Sequence, residues 1–376
     1  MIRFGLVGCG NMGKTHTQSF LEKKVKGGVL TAVCDTDPLA LAWVKEQDAN
    51  IQTFDEVTDM LNSDDIDAVL IATPHYDHPP MAMKAMEKGK HVMVEKPIGV
   101  FTKNVRELNE KAKDANVVFG IMYNQRTNPI YRKMREMVKS GVLGEIKRTS
   151  WLITDWYRSQ AYYDTGGWRA TWQGEGGGVL INQCPHNLDL WQWICGMPKR
   201  VTAFAHNGKW HDIEVEDDVT AYVEYENGAT GIFVTTTADY PGTNRFEIVG
   251  DLGKLVYEFD RLTYYKLEMS EREFNQENKE MFATPTATKT VIDLTENPQT
   301  SDLPKGAPLD GGTQHVGVLN AFIKEIKGEG QLIANGVEGI DGLTISNAIH
   351  LSSWLGETIE LPLDEDLFMA ELEKRF

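Results

Sequence analysis

Residues 2–16 read IRFGLVGCGNMGKTH. The first six are a short, β-rich, mostly apolar run, the pattern of a buried strand in a parallel sheet. Gly8, Gly10 and Gly13 follow in GxGxxG spacing, and KTHTQSFLEKK continues with helical periodicity. Each glycine has a physical task in a strand–turn–helix unit that holds a dinucleotide. Gly8 permits the tight turn, Gly10 lets the backbone approach a pyrophosphate, and Gly13 lets helix and strand pack closely. The helix N-terminus then offers N–H groups to the phosphates. The next strand, LTAVCD, ends at Asp35, 22 residues beyond Gly13. A carboxylate there accepts from adenosine ribose hydroxyls and repels a 2′-phosphate. DTDPLA offers no arginine to bind such a phosphate, so NAD is expected over NADP.

Outward from this unit the alternation continues. DEVTDMLNS, PPMAMKAMEKG and VRELNEKAKDAN read as helices, and AVLIAT, HVMVEKP and VVFGIMY as strands. Alternation on this spacing predicts an α/β Rossmann domain, a doubly wound parallel sheet, over residues 1–122. Ligands of such sheets bind beyond the carboxyl ends of the strands, where ATPHYDH and VEKP lie. After about residue 143 the pattern changes to sequential strands: GEIKRTSWLITDW, VTAFAHN, DVTAYVEYENGATGIFVTTTAD, NRFEIVGDLGKLVYEFD and LTYYKLEM. These predict an α+β domain with a large, open, mostly antiparallel sheet over residues 123–376, for substrate binding and oligomerisation. The polar stretch 276–312 is expected to be loop or insertion, and HVGVLNAFIKEIKGEG and IDGLTISNAIHLSSWLGE close the chain as helices.

A chain of 376 residues is too long for one compact core, which agrees with two domains. No apolar run reaches the ~18 residues of a membrane span. The N-terminus lacks the pattern of a signal peptide and already reads as a strand. Net charge is −17, with no basic cluster, which argues against nucleic acid and anionic membrane as partners. Cys9, Cys34, Cys184 and Cys195 form no CxxC pair and are expected to be free thiols in a reducing cytoplasm. No metal site is expected.

Two places stand out as chemistry. Lys96 follows a buried strand and precedes Pro97, so it sits at a strand end facing the cofactor. There it could donate to a substrate hydroxyl and favour its deprotonation. The second place is GGGVLINQCPHNLDLW, residues 176–191, where three glycines run into a helix containing a proline. With residues 179–195 taken as helix, Cys184, Leu188, Trp191 and Cys195 form one apolar stripe. Asn182, His186 and Asp189 then fall on the opposite face. Pro185 is expected to kink this helix and re-aim that polar face. His186 would be a positioned base, with Asp189 a supporting or surface group.

The combination GLVGCGNMGKTH, TPHYDH, GKHVMVEKP and GGGVLINQCPHNLD resembles the glucose–fructose oxidoreductase/inositol dehydrogenase/MocA family, and the resemblance runs into GVEGIDGLTISNAIHLSSWLGETIELP near the C-terminus. It implies an NAD(P)-dependent enzyme acting on the CH–OH group of a sugar, cyclitol or glycoside. It also implies a catalytic pair of Lys96 and His186, and it suggests a cis Lys96–Pro97 bond. Carried over position by position, it places Gly8, Gly10, Asn11, Met12, Gly13, Asp35, Thr73, Pro74, His75, His78, Glu95, Lys96 and Asn124 at the cofactor. GGWR resembles a family segment near the nicotinamide, which adds Trp168 and Arg169. The family commonly has aspartate where this chain has Asn182, which cannot take up a proton but can hydrogen-bond a hydroxyl or orient His186. Proton transfer then falls to His186, with Lys96 stabilising the alkoxide and hydride leaving to nicotinamide C4.

Residues 151–172 hold seven aromatics, about a third of the stretch against 9% for the chain. Trp156, Tyr157, Tyr163 and Trp172, with Arg158, suit a polyol ring, and Tyr123, Asn182 and His186 join them as substrate candidates. The same aromatics would equally fill a core. A homodimer or homotetramer through the second domain's sheet is implied by the resemblance. Two other readings stay open: a glycoside-processing enzyme with tightly bound, recycled NAD, and a non-enzymatic cofactor-binding regulator.

Overall fold

The computed structural model describes residues 1–292 and 313–376. They form two compact units: Met1–Thr127 with Pro308–Leu343, described from Thr313, and Asn128–Ala307 with Thr344–Phe376.

In the first unit, β1 (Ile2–Val7), β2 (Gly28–Cys34), β3 (Gln52–Phe54), β4 (Ala68–Ile71), β5 (His91–Val94) and β6 (Phe119–Ile121) make one sheet in the order β3-β2-β1-β4-β5-β6. Every pairing is parallel. The order reverses next to β1, so the crevice at the carboxyl ends of β1 and β4 is the natural ligand position. Phe4, Leu6, Val69 and Leu70 are buried to 1% exposure or less, as a sheet covered on both faces requires.

The helix Thr313–Ile326 belongs to this unit, not to the second domain expected from residue 123 onward. Its apolar residues Val318, Leu319, Phe322 and Ile323 join the core of β1 and β2, with the Phe322 ring 6.2 Å from Phe4. The helix Pro38–Gln47, capped by Asp37, and the strand β3 were not legible beforehand.

The second unit is built on nine strands: β7 (Ile146–Ile153), β8 (Arg200–Asn207), β9 (Glu216–Glu224), β10 (Thr230–Thr236), β11 (Asn244–Gly250), β12 (Gly253–Glu258), β13 (Arg261–Leu267), β14 (Ala287–Ile292) and β15 (Ile359–Glu360). Their order is β14-β13-β12-β11-β7-β10-β9-β8-β15. All neighbours are antiparallel except β7 and β10. Strand β14 lies inside the stretch read as loop, of which residues 293–312 fall outside the described residues.

Alternation along β9 and β10 sends Val219, Ala221, Val223 and Phe233 inward. There Trp191 stacks on Phe233 at 5.5 Å and Trp151 on Phe246 at 4.3 Å. The helices Pro129–Lys139 and Pro185–Cys195 pack together in this unit.

The helix expected from residue 179 begins only at Pro185. Pro185 is therefore the first helical residue, where its missing N–H costs nothing, and it does not kink the helix. Asn182 precedes the helix, in a turn. Asp189 is fully buried and accepts from Gln192 Nε2 at 3.1 Å, so it does not share an open face with His186. Lys96–Pro97 is cis. Cys9, Cys34 and Cys184 are buried and Cys195 half-buried, all as free thiols. Among the described residues no helix is long and apolar enough to cross a membrane.

Candidate active site

The first unit carries the dinucleotide features. Gly8 has φ +89°, and a Cβ there would lie 2.6 Å from the Ala72 carbonyl oxygen. A Cβ on Gly13 would lie 2.1 Å from the Gly8 oxygen, so close helix–strand packing demands glycine. A Cβ on Gly10 would meet nothing within 4 Å. Gly10 is also the N-cap of the helix Asn11–Leu21 and supplies no side-chain cap, which leaves the first-turn N–H groups at an open surface. Asn11 and Met12 are exposed beside it. This cradle fits a pyrophosphate.

Asp35 accepts the Cys9 N–H at 2.6 Å on one carboxylate oxygen and the Asp37 N–H at 2.8 Å on the other. The first bond ties the glycine turn to the end of β2. Each oxygen keeps further acceptor capacity for ribose hydroxyls. Burial, followed by the Asp35 charge, pushes the Cys9 and Cys34 thiols up to about 11, so both stay protonated.

Several residues expected at the cofactor or substrate also brace the structure. His78 is 1% exposed, with its ring nitrogens 2.6 Å from the Pro97 oxygen and 2.8 Å from the Thr73 oxygen. It thereby spans the Thr73–Pro74 turn and the Lys96–Pro97 turn. His75 is buried beside it, the two rings 6.1 Å apart. Glu95 is buried and paired through Oε1 with His16 Nε2 at 2.7 Å, while its Oε2 accepts the Lys96 N–H at 3.2 Å. Burial pushes the Glu95 carboxyl up, but the His16 hydrogen bond and the neighbouring His16, His315 and Lys96 charges outweigh it and hold the group at about 2. Asn124 is buried, its Nδ2 directed at Gln314 Oε1 and His315 Nδ1. Tyr123 is 2% exposed and its hydroxyl donates to the Gly339 oxygen. Lys96 itself is half-buried.

The second unit explains the three glycines. Glu216, fully buried at the start of β9, gathers the loop: its carboxylate accepts the Gly178 N–H at 2.8 Å and the Leu180 N–H at 2.9 Å, and its own carbonyl accepts the Val179 N–H at 3.0 Å. A Cβ on Gly178 would lie 2.0 Å from that carbonyl oxygen. Gly176, at φ +85°, closes the short helix Trp172–Glu175. The loop is thus moulded onto Glu216, and residues 175–192 are buried with two exceptions, Asn182 and His186. The Asn182 amide donates to Glu175.

Among the aromatics, Trp172 and Tyr163 are core residues. Trp172 packs edge-on to His350 and Trp354, and Tyr163 donates to Thr237. Tyr157 is exposed and Trp156 half-buried, with Trp156 Nε1 on Asn187. The Arg158 and Arg169 guanidinium groups lie 5.2 and 5.3 Å from the Tyr162 ring, and Arg169 also covers Trp168 at 4.7 Å. His16, Glu175, Glu216 and His315 were missed. His16 alone left a local trace, as a histidine on the buried Gly13–Thr17–Phe20 face of its helix.

Residues 2–123 match the oxidoreductase family with NAD-binding Rossmann fold, and residues 131–256 match the GFO/IDH/MocA C-terminal domain. The chain belongs to the Gfo/Idh/MocA oxidoreductase family. It is an NAD-binding enzyme of that family. It is 23% identical over 362 residues to a 1,5-anhydro-D-fructose reductase of Ensifer adhaerens, covering 96% of this chain and 99% of that one. It is 26% identical to the scyllo-inositol 2-dehydrogenase (NAD(+)) of Bacillus subtilis (strain 168), over 68% of this chain and 73% of that one. The WlbA dehydrogenase of Bordetella pertussis, solved with NADH and UDP-GlcNAcA, superposes with a TM-score of 0.77 at 26% identity, covering 96% of this chain and 99% of that one.

Proposed function

We propose that this protein is an NAD-dependent dehydrogenase that oxidises, or forms in reverse, a secondary alcohol on a sugar, cyclitol or glycoside, with Lys96 and His186 as its catalytic pair. One observation carries the reading furthest: in the buried stretch 175–192, Asn182 and His186 are the two residues that keep partial exposure. An amide that can accept from a hydroxyl and an imidazole that can take its proton stand four residues apart beside the loop held by Glu216, which supports this reading.

Bound NAD supplies the hydride acceptor. The chain's residues do the rest. His186 takes the hydroxyl proton, a task that suits an imidazole near neutrality. The Lys96 ammonium stabilises the oxygen as it gains charge. Its backbone is pinned by Glu95 and so by His16. Asn182 orients the hydroxyl without exchanging a proton. Tyr157, Trp156 and the Arg158 and Arg169 groups offer aromatic faces and charge to a polyol. The relatives named above act on, or are solved with, such compounds, which supports this substrate class.

We also read the outer face of the nine-stranded sheet as a contact between copies of this chain, forming a homodimer or homotetramer. Leu152, Phe204, Tyr222 and Ile232 are exposed there, on four neighbouring strands.

The test is a screen of scyllo-inositol, myo-inositol, 1,5-anhydro sugars, UDP-GlcNAcA and simple glycosides with NAD, followed at the NADH absorbance. The expected result is net NADH with at least one polyol. Glycoside turnover without net NADH would replace this reading with the recycled-cofactor one.

A further inference from the structure

Glu175 ends the helix Trp172–Glu175, immediately before the three glycines, and is 2% exposed. Its two carboxylate oxygens have different partners. Oε2 accepts the Ala170 N–H at 2.7 Å, from an alanine held at φ +56°. Oε1 accepts from Asn182 Nδ2, with Arg169 Nη1 3.9 Å away. An ionised carboxylate can only accept, so it draws the amino end of the Asn182 amide and turns the carbonyl Oδ1 away.

We propose that Glu175 is a positioning residue that fixes which end of the Asn182 amide serves the reaction, and that it is why position 182 holds an amide and not a carboxylate. The proposal rests on reading Asn182 and His186 as reacting groups. With Nδ2 committed to Glu175, Asn182 meets a substrate hydroxyl through Oδ1, as an acceptor. An aspartate at 182 would set two carboxylates against each other in a buried place, and one of them would have to keep a proton. The surroundings are already unfavourable to a second negative charge. Burial raises the Glu175 carboxyl above its ordinary range, against the pull of the Ala170 N–H, Asn182 and Arg169, and the Glu216 charge raises it further. Glu216 in turn faces His350 at 3.1 Å.

The pair can be inverted. In Glu175→Gln/Asn182→Asp, the new amide accepts the Ala170 N–H through its oxygen and donates through its nitrogen to the new carboxylate. The Ala170 bond and the bond between positions 175 and 182 are both matched again, while Arg169 comes to face a neutral amide. In Glu175→Gln alone the amide of Asn182 must turn round, and an amino group replaces the acceptor.

The experiment compares wild type, both single variants and the double variant. Thermal unfolding is followed between about pH 5 and 9, a range that brackets a raised carboxyl. Turnover is measured with NAD and the polyol that yields NADH in the screen above. Asn182→Asp is expected to melt below wild type, with the gap widening as pH rises and the second carboxyl ionises. The double variant is expected to close that gap and remove its pH dependence. Glu175→Gln is expected to lower kcat about 10–100-fold, the effect of one misplaced hydrogen bond, with KM moving less. The double variant should recover most of that loss.

Should Glu175→Gln fold poorly, the double variant carries the test, because only a coupled pair lets the second substitution repair the first. An Asn182→Asp protein with the wild-type melting profile at every pH would overturn the proposal. So would wild-type kcat in Glu175→Gln. Failure of the site reading looks different: turnover would survive His186→Ala while the melting cycle still showed the pair coupled.

Discussion

The His16–Glu95 pair joins the helix that follows the glycine loop to the strand end that carries Lys96. Because the folded carboxyl is held at about 2, below its unfolded value near 4.3, the pair's stabilisation is fully present above pH ~4 and is lost as pH falls through about 2. Glu95→Gln should therefore destabilise the protein at neutral pH by on the order of 3 kcal/mol. The gap to wild type should close between about pH 4 and 2 in denaturant titrations. A gap that stays constant down to pH 2 would show that the carboxylate's charge is not what stabilises. Residues of this kind were the least legible ones. Gly8, Gly13 and Asp35 could be read because their tasks are local to one strand–turn–helix unit. Glu95 and His16 are 79 positions apart, and Glu175 meets Asn182 across a glycine loop moulded onto Glu216.

Elements were legible where burial imposes a period. Strands β1, β2, β4, β5 and β6, and the alternating β9 and β10, follow from their apolar patterns. Strand β14 could not be found that way. Five of its six residues are exposed, so an edge strand of this kind carries no alternation to read. The helix Pro185–Cys195 was placed six residues too early because the turn before it shares the apolar spacing of the helix. Proline marked its true start. Its anchor is Trp191, 1% exposed, stacked on Phe233 and donating from Nε1 to Thr149 at 3.0 Å. Trp191→Ala should cost about 3–5 kcal/mol, the range for large-to-small core changes, read as a lowered Tm. A loss below about 1 kcal/mol would mean that the helix does not depend on this contact.

At the scale of the molecule, a division into two units was readable but its boundaries were not. The helix Thr313–Ile326 looks from the sequence like any C-terminal helix, and only the fit of Phe322 against Phe4 returns it to the first unit. The outer face of the nine-stranded sheet gives the prediction that belongs to this scale. Ile232 is paired with Tyr222 across β9 and β10, and both are about two-fifths exposed. Light scattering at micromolar concentration should show a dimer or tetramer, and Ile232→Glu should shift it toward monomer with secondary structure intact. A wild-type protein that is monomeric throughout would remove this contact from the account.

The role proposed for His186, as the base of an NAD-dependent oxidation, is read from the turnover of His186→Ala, with NAD and the active polyol both saturating, alongside NAD affinity measured by fluorescence. In that variant kcat should fall by roughly 10²–10⁴-fold, as for loss of a general base, while NAD binds as in wild type. Near-native turnover in His186→Ala would contradict it.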